Sequence, residues 1–436
     1  MCDGQPILTN AAEQEPAALD PAELRAFVDG FLQRRDEFLQ VSRRHGSPLY
    51  VLEEAVLHAR ARQFTEAFTA ALPDVRVYYA MKSNNCPQVA RTLLKAGLGL
   101  DVSSGLELQA ALDCGAPDIV FSGPGKTTRE LAQAVENAKS TTVLIDSFGE
   151  LQRLQHVAAE KGARVRAGVR LTTDDRGLWR RFGIPLADLP QFLNAARLCD
   201  RVNVRGLQFH TSWNLDPDKQ IAFIARLGDA LGELQADQRA MIEFIDVGGG
   251  YWPSQGEWLH SPGADEGDSR QTSAPREAPG LSHCRRCARP IGEFADRIAQ
   301  AMQAYVFPHL SCRICAEPGR WLCNDAMHLL LTVVDKKADD LAITDAGTNT
   351  VGWERFETDY FPVINLSRPN LLEQECHVLG SLCTPHDVWG YSYWGADIQP
   401  DDVLLIPTQG AYTYSLRQEF IKPLPSLAIL DSSDHP

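Results

Sequence analysis

The chain has 436 residues, 44% of them hydrophobic, enough for one core of about 250 residues with a smaller domain beside it, which excludes a disordered chain or a single small sandwich. A formal net charge of −15, from 57 acidic against 42 basic residues, argues against a nucleic-acid surface, which needs clustered Lys and Arg. No apolar stretch is long enough to span a bilayer, and residues 1–20 lack the basic segment, apolar run and small-residue cleavage site of a secretory signal, so small-molecule chemistry in the cytoplasm is expected.

Residues 21–44 carry an apolar stripe of Leu24, Phe27, Val28, Phe31, Leu32, Phe38 and Leu39, so residues 1–46 are predicted to be a helical extension. From residue 49, short β-type runs alternate with amphipathic helices. Strands are predicted at 49–52, 75–79, 99–102, 119–121, 142–145, 164–171, 202–209 and 244–247, with helices at 52–72, 87–96, 105–113, 128–138, 148–160, 186–198 and 217–232. Such units imply a parallel sheet covered by helices, and there are enough of them to close a barrel; an open doubly wound sheet is the competing topology. Residues 251–283, rich in Pro, Gly, Ser and charge, read as a mobile surface insertion. A helix at 291–302 and a strand ending near 317 resume the pattern. After about 327 helices nearly vanish, and runs at 329–336, 341–344, 377–380, 403–407 and 428–430 predict a separate β domain. The predicted fold class is α/β: a (β/α)8 TIM-type barrel over 47–326, followed by a C-terminal all-β domain over 327–436.

The eleven cysteines are scattered and do not form a disulfide framework. Cys284/Cys287 and Cys312/Cys315 have the spacing of a four-thiolate zinc site. Alternation over 311–316 favours a strand whose thiols face packing, and no metal is assigned.

The predicted strand 75–79 runs into Ala80-Met81-Lys82. The C-terminal ends of barrel strands face the site, where a lysine shielded from water can lose its proton and attack an aldehyde. Gly248-Gly249-Gly250 follows another strand, and consecutive glycines let backbone N–H groups converge on phosphate oxygens. Glu317-Pro318-Gly319-Arg320 places a carboxylate and a guanidinium three residues apart, just after a predicted strand.

With these elements in view, Tyr79-Ala80-Met81-Lys82-Ser83-Asn84 resembles the Schiff-base segment of the fold-type III pyridoxal-phosphate decarboxylases, the ornithine, arginine and diaminopimelate decarboxylase family. The resemblance runs in order over about residues 47–420. Its landmarks include Asp101-Val102-Ser103-Ser104-Gly105-Leu106-Glu107, Phe121-Ser122-Gly123-Pro124-Gly125-Lys126, Arg181-Phe182-Gly183-Ile184, Gly206-Leu207-Gln208-Phe209-His210, Cys383-Thr384-Pro385-His386-Asp387 and Gly410-Ala411-Tyr412. It implies pyridoxal 5'-phosphate as cofactor, bonded by Lys82. It also implies that Asp101 and Gly319 lie in the cofactor site, His210 stacks on the ring, Glu317 keeps the ring nitrogen protonated, and Gly248, Gly249, Gly250, Arg320 and Tyr412 surround the phosphate. Cys383 is implied to handle a proton, with Asp345, Cys383 and Asp387 binding substrate, in a homodimer whose sites are shared between subunits.

Decarboxylation of an amino acid, or of a conjugate carrying an α-amino acid end, is the expected reaction; a racemase or a non-catalytic homologue are the alternatives. Three departures from the family pattern stand out. His210 is followed by Thr211-Ser212-Trp213 rather than by a small residue, glycine and serine. Thr384 replaces the acidic residue that often follows the cysteine, which weakens the case for plain ornithine, lysine or diaminopimelate, and Phe420 precedes Ile421 where asparagine is common. Arg176, Arg180, Arg181 and His386 suggest a substrate with a distal carboxylate or a larger conjugated group. These features point to specialised metabolism, in a natural-product or siderophore pathway.

Overall fold

The computed structural model describes residues 15–260, 283–352 and 359–430. The parallel strands Val75–Ala80, Gly99–Val102, Ile119–Phe121, Thr141–Ile145, Val165–Leu171, Val202–Phe209, Phe244–Asp246 and Arg313–Ala316 close into a barrel, the last pairing with both the first and the seventh. Closure decides between the two topologies read from the sequence in favour of the TIM-type barrel. Tyr78, Val120, Leu144, Cys315 and Phe244 form their own cluster, separate from the main core. Outside, the helix Glu54–Ala71 buries Leu57, Ala61, Phe64 and Phe68 along one face, the stripe that a 3.6-residue period dictates. Several helices start on a side-chain cap: Ser104, Thr127 and Ser147 accept from the backbone N–H of Glu107, Glu130 and Glu150.

The second domain is an eight-stranded sheet in the order Leu341–Thr344, Glu373–Leu379, Val388–Trp394, Ile364–Asn365, Val403–Ile406, Met327–Ala338, Leu49–Leu52 and Ser426–Ile429, and a further pairing of Leu341–Thr344 with Met327–Ala338 folds it back on itself. Placing the barrel's start at residue 47 needs correction here, because Leu49–Leu52 lies between Met327–Ala338 and Ser426–Ile429. A four-residue apolar strand does not carry the identity of its partners, and these are far away in the chain. The N-terminal segment also differs: the single predicted helix breaks at Arg34 into Pro21–Gln33 and Arg35–His45. Both helices pack on the β domain, with Leu24, Val28, Phe38 and Leu39 in one cluster with Leu49, Val51, Leu330 and Leu405.

The ends of the segment read as a surface insertion are ordered too. Glu257–His260 pairs antiparallel with His283–Arg286, which pairs with Ala17–Ala18, and Trp258 is buried in that same cluster. Residues 261–282, the centre of that expectation, lie outside the described residues. Of the CxxC cysteines, Cys315 is buried on the last barrel strand and Cys284 sits on His283–Arg286. Among the described residues no group of three or more His, Cys, Asp or Glu side chains is placed to hold a metal ion, and no helix is long and apolar enough to cross a membrane.

Candidate active site

Lys82 sits in the turn Met81–Ser83, directly after the first barrel strand. The backbone of this turn is gripped by the β domain of the same chain. Tyr412 N–H donates to Ser83 O at 2.7 Å, Ser415 Oγ donates to Lys82 O at 2.8 Å, and Asn84 Nδ2 donates to Gly410 O at 2.9 Å. The amine is held from the other side, Nζ lying 2.7 Å from Oδ2 of the fully buried Asp101, whose Oδ1 accepts from Ser122 Oγ at 2.7 Å. Burial works against the lysine's charge, but Asp101, Glu317 and Tyr412 outweigh it and raise its pKa.

His210 ends the strand Val202–Phe209. Its Nδ1 accepts the Gly249 N–H at 3.1 Å, and Nε2 lies 3.4 Å from Ser212 Oγ. An accepting Nδ1 places the proton on Nε2 of a neutral ring. Burial, reinforced by the charges of Lys82 and Arg170, holds this pKa well below the usual histidine range.

The glycine run forms a close-fitting cradle. A Cβ on Gly249 would stand 2.2 Å from Glu317 O, and one on Gly250 would stand 2.4 Å from Thr211 O, so no larger residue fits this approach. Gly319 is close against Ser83, whose Cβ and Oγ an added Cβ would meet at 2.9 Å.

Glu317 follows the last barrel strand. Oε2 accepts from Gln208 Nε2 at 3.3 Å and stands 3.9 Å from His210 Nδ1, while Oε1 is buried without a donor. Burial and the neighbouring Asp101 and Asp246 push its pKa well up, against Lys82 and Arg170. Asp246 accepts the Gly248 N–H at 2.9 Å through Oδ1; burial first, then Asp101, push its carboxyl up to about 7.

The Arg320 guanidinium is half-buried and makes no ion pair among the described residues. Its Cζ lies 4.2 Å from the ring centre of Trp252 and 5.0 Å from that of Tyr412.

Lys82, Asp101, His210, Gly248, Gly249, Gly250, Glu317, Gly319, Arg320 and Tyr412 thus gather at one end of the barrel. Asp345, Cys383 and Asp387 have no hydrogen bond or ion pair to that cluster among the described residues. Cys383 is exposed on the β domain, and Asp345 Oδ1 accepts the Thr332 N–H. Asp387, expected to hold substrate, is buried, and its two oxygens accept the N–H groups of Thr348 and Leu382 at 2.7 and 2.6 Å, which anchors its own loop.

Sequence reading missed Asp246, Arg170, Trp252 and Ser415. Asp246 was findable, as a carboxylate two residues before the glycine run at a barrel strand's end. Arg170 is buried near the end of Val165–Leu171 with Cζ 4.5 Å from the Phe182 ring centre, but arginines on strands are usually solvated and nothing local marks it.

Asp246 gives a pH prediction. A carboxyl whose folded pKa is raised keeps its proton while the unfolded chain releases it, so stability falls as pH climbs from the ordinary value, near 3.8, to about 7. Asp246→Asn retains the acceptor for Gly248 N–H but cannot ionise. The advantage of wild type over this variant in thermal melting should shrink across that window and then level off; parallel melting curves would contradict the raised pKa.

The pyridoxal binding domain of the pyridoxal-dependent decarboxylases matches residues 57–324. The chain is 27% identical over 398 residues to a diaminopimelate decarboxylase of Methanothermobacter thermautotrophicus, covering 88% of this chain and 86% of that one. It is 25% identical over 403 residues to the L-glutamyl-[BtrI acyl-carrier protein] decarboxylase of Niallia circulans, covering 87% of each. Among solved structures, diaminopimelate decarboxylase of Helicobacter pylori with L-lysine aligns with a TM-score of 0.73 at 22% identity, over 91% of this chain and 94% of the other. The lysine/ornithine decarboxylase of Vibrio vulnificus with putrescine aligns at 0.70 and 20% identity, over 91% and 98%.

Proposed function

The chain belongs to the pyridoxal-dependent decarboxylases, and from that premise we propose that it removes the α-carboxylate of an amino acid, or of a conjugate presenting an α-amino acid end, giving an amine and carbon dioxide. The observation that carries this reading is the meeting of Lys82, Asp101, His210 and Glu317 at the strand ends, beside the Gly248–Gly250 cradle. The residues present fit pyridoxal 5'-phosphate: an amine for its aldehyde, a buried carboxylate oxygen without a donor for its ring nitrogen, and a glycine cradle with a half-buried guanidinium for its phosphate. When bound, this cofactor supplies an electron sink for the pair left at Cα as the carboxylate departs.

The chain's own groups do the rest. Asp101 holds the Lys82 amine in place through its hydrogen bond. Neutral His210 offers a ring face without adding positive charge, its plane fixed by the Gly249 N–H. Glu317, backed by Gln208, holds a proton at the ring-nitrogen position. Closing the reaction requires a proton at Cα, and the exposed Cys383 of a second copy is its proposed donor in a homodimer with shared sites. Asp345 stays a proposed substrate contact in the same dimer.

Two features favour an acidic conjugate over a plain diamino acid. Thr384 carries no charge for a distal ammonium. In addition, Arg176, Arg180 and Arg181 are exposed on the segment after Val165–Leu171, which leaves the site end of the barrel, and none makes a salt bridge among the described residues. The relative acting on a carrier-bound glutamyl group supports a conjugate within this family.

The test is mass spectrometry of cofactor-loaded protein incubated with ornithine, lysine, diaminopimelate, arginine, glutamate, carboxylated amino acid conjugates and glutamyl carrier protein. Loss of one carbon dioxide from a conjugate, with little from the diamino acids, is the expected result. Exchange of the α-hydrogen without carbon dioxide release would sink the decarboxylase reading, and preference for a diamino acid would sink the acidic-conjugate reading.

A further inference from the structure

Trp213 stands where the family's pattern leads to a small hydroxyl residue, and it does not turn into the pocket. Its backbone is left-handed, with φ 54°, and its side chain is exposed. Its Nε1 donates to Glu257 Oε1 at 3.3 Å, while Glu257 Oε2 accepts from Arg286 Nη1 at 2.9 Å. The Trp213 ring centre lies 6.4 Å from that of Trp252. Trp252 is buried, two residues beyond Gly250, and carries the Arg320 guanidinium 4.2 Å from its ring centre.

A guanidinium without a carboxylate partner is normally mobile and hydrated. Here the faces of Trp252 and Tyr412 hold it within cation–π range, an attraction that grows as water is excluded. Ring faces use none of the five N–H donors, so the hydrogen-bonding edge of the fork stays available to an anion. A carboxylate partner would have neutralised it instead.

We propose that Trp252 is the positioning residue for the phosphate grip. Its ring fixes the plane of Arg320 beside the glycine cradle, and Trp213, Glu257 and Arg286 brace it from the outside. The missing hydroxyl contact after His210 is thereby replaced by an aromatic support, which ties cofactor retention to the ribbon formed by Glu257–His260 and His283–Arg286. This rests on the reading that the chain binds pyridoxal 5'-phosphate.

The experiment titrates apoprotein with pyridoxal 5'-phosphate and, separately, with pyridoxal, which lacks the phosphate, following the absorbance of the Lys82 adduct. Trp252→Ala should weaken the phosphorylated ligand about tenfold, the scale of a well-shielded cation–π contact, and leave pyridoxal within about twofold. Trp252→Phe should restore most of the loss. Against an Arg320→Lys background the Trp252→Ala effect should largely vanish, because a lysine presents no plane to be held.

Equal weakening of both ligands, or no weakening of either, would overturn the proposal. So would an undiminished effect in the Arg320→Lys background. Should Trp252→Ala not fold, Glu257→Gln carries the comparison: it should weaken the phosphorylated ligand and leave pyridoxal unchanged, and unchanged binding of both would count against the brace. Failure of the underlying cofactor reading looks different: wild type itself would form no adduct, or Lys82→Ala would still form one.

Discussion

Replacement of Lys82 by alanine is expected to abolish the absorbance of the cofactor adduct and to lower turnover on the order of 10³-fold or more, the range set by loss of a covalent and proton-handling group. The fold should survive, because Ser415, Tyr412 and Asn84 hold the turn through backbone atoms or a neighbouring side chain rather than through the lysine amine. Alanine also strips a cation from the buried Asp101, so charge and chemistry are confounded in that variant alone. Lys82→Arg separates them: a guanidinium keeps the charge opposite Asp101 but stays protonated and cannot form the adduct. An equally deep loss in both variants assigns the effect to chemistry; activity retained in Lys82→Arg would remove Lys82 from the proposed role. The same variant tests the shared site. Mixing Lys82→Ala with Cys383→Ala chains should restore about a quarter of wild-type activity, since half of randomly formed dimers are mixed and each has one intact site of two. No recovery, with mixing verified, would oppose a homodimer in which Cys383 crosses the interface.

What the sequence revealed of the site, and what it hid, follows from where the determining interactions lie. Lys82, Asp101, His210 and Glu317 were legible because each ends, or follows by a residue or two, a short apolar run, and in a parallel barrel all such ends point the same way. The barrel itself was legible because its strand and helix periods differ, and caps such as Thr127 mark where one gives way to the other. The assignment of Leu49–Leu52 failed for the opposite reason. Its neighbours are Met327–Ala338 and Ser426–Ile429, hundreds of residues away, and nothing within a four-residue strand specifies them. The structural side of Asp387 was hidden for a similar reason: it accepts two backbone N–H groups, from Thr348 and Leu382, and backbone donors leave no signature in residue identity. Trp252 is the intermediate case. It was visible beside the glycine run, but its meaning depends on the distant Arg320 and Tyr412 meeting it in space.

Glu317→Gln should produce an enzyme that is slower and, without cofactor, sturdier. Glu317 shares a buried region with Asp246 and Asp101, and burial together with those two carboxyls drives its pKa well up; ionising it there costs folding energy as pH rises. Glutamine has nearly the same shape, can still meet Gln208, and removes that cost, so the apoprotein variant should melt at a higher temperature than wild type above neutral pH. The same change takes away the negative charge that would hold a proton on the ring nitrogen, and a ring less able to carry a proton is a weaker electron sink. Turnover should therefore fall on the order of 10² to 10³-fold, comparable to loss of one preorganised electrostatic group, while KM moves far less. Glu317→Asp, which keeps the charge but shortens the reach, should fall between the two in rate. The opposing signs are the diagnostic: a destabilised and slow Glu317→Gln would mean that the carboxyl supports the packing, whereas a stabilised and slow one means that the fold tolerates a costly buried acid because the reaction needs its charge.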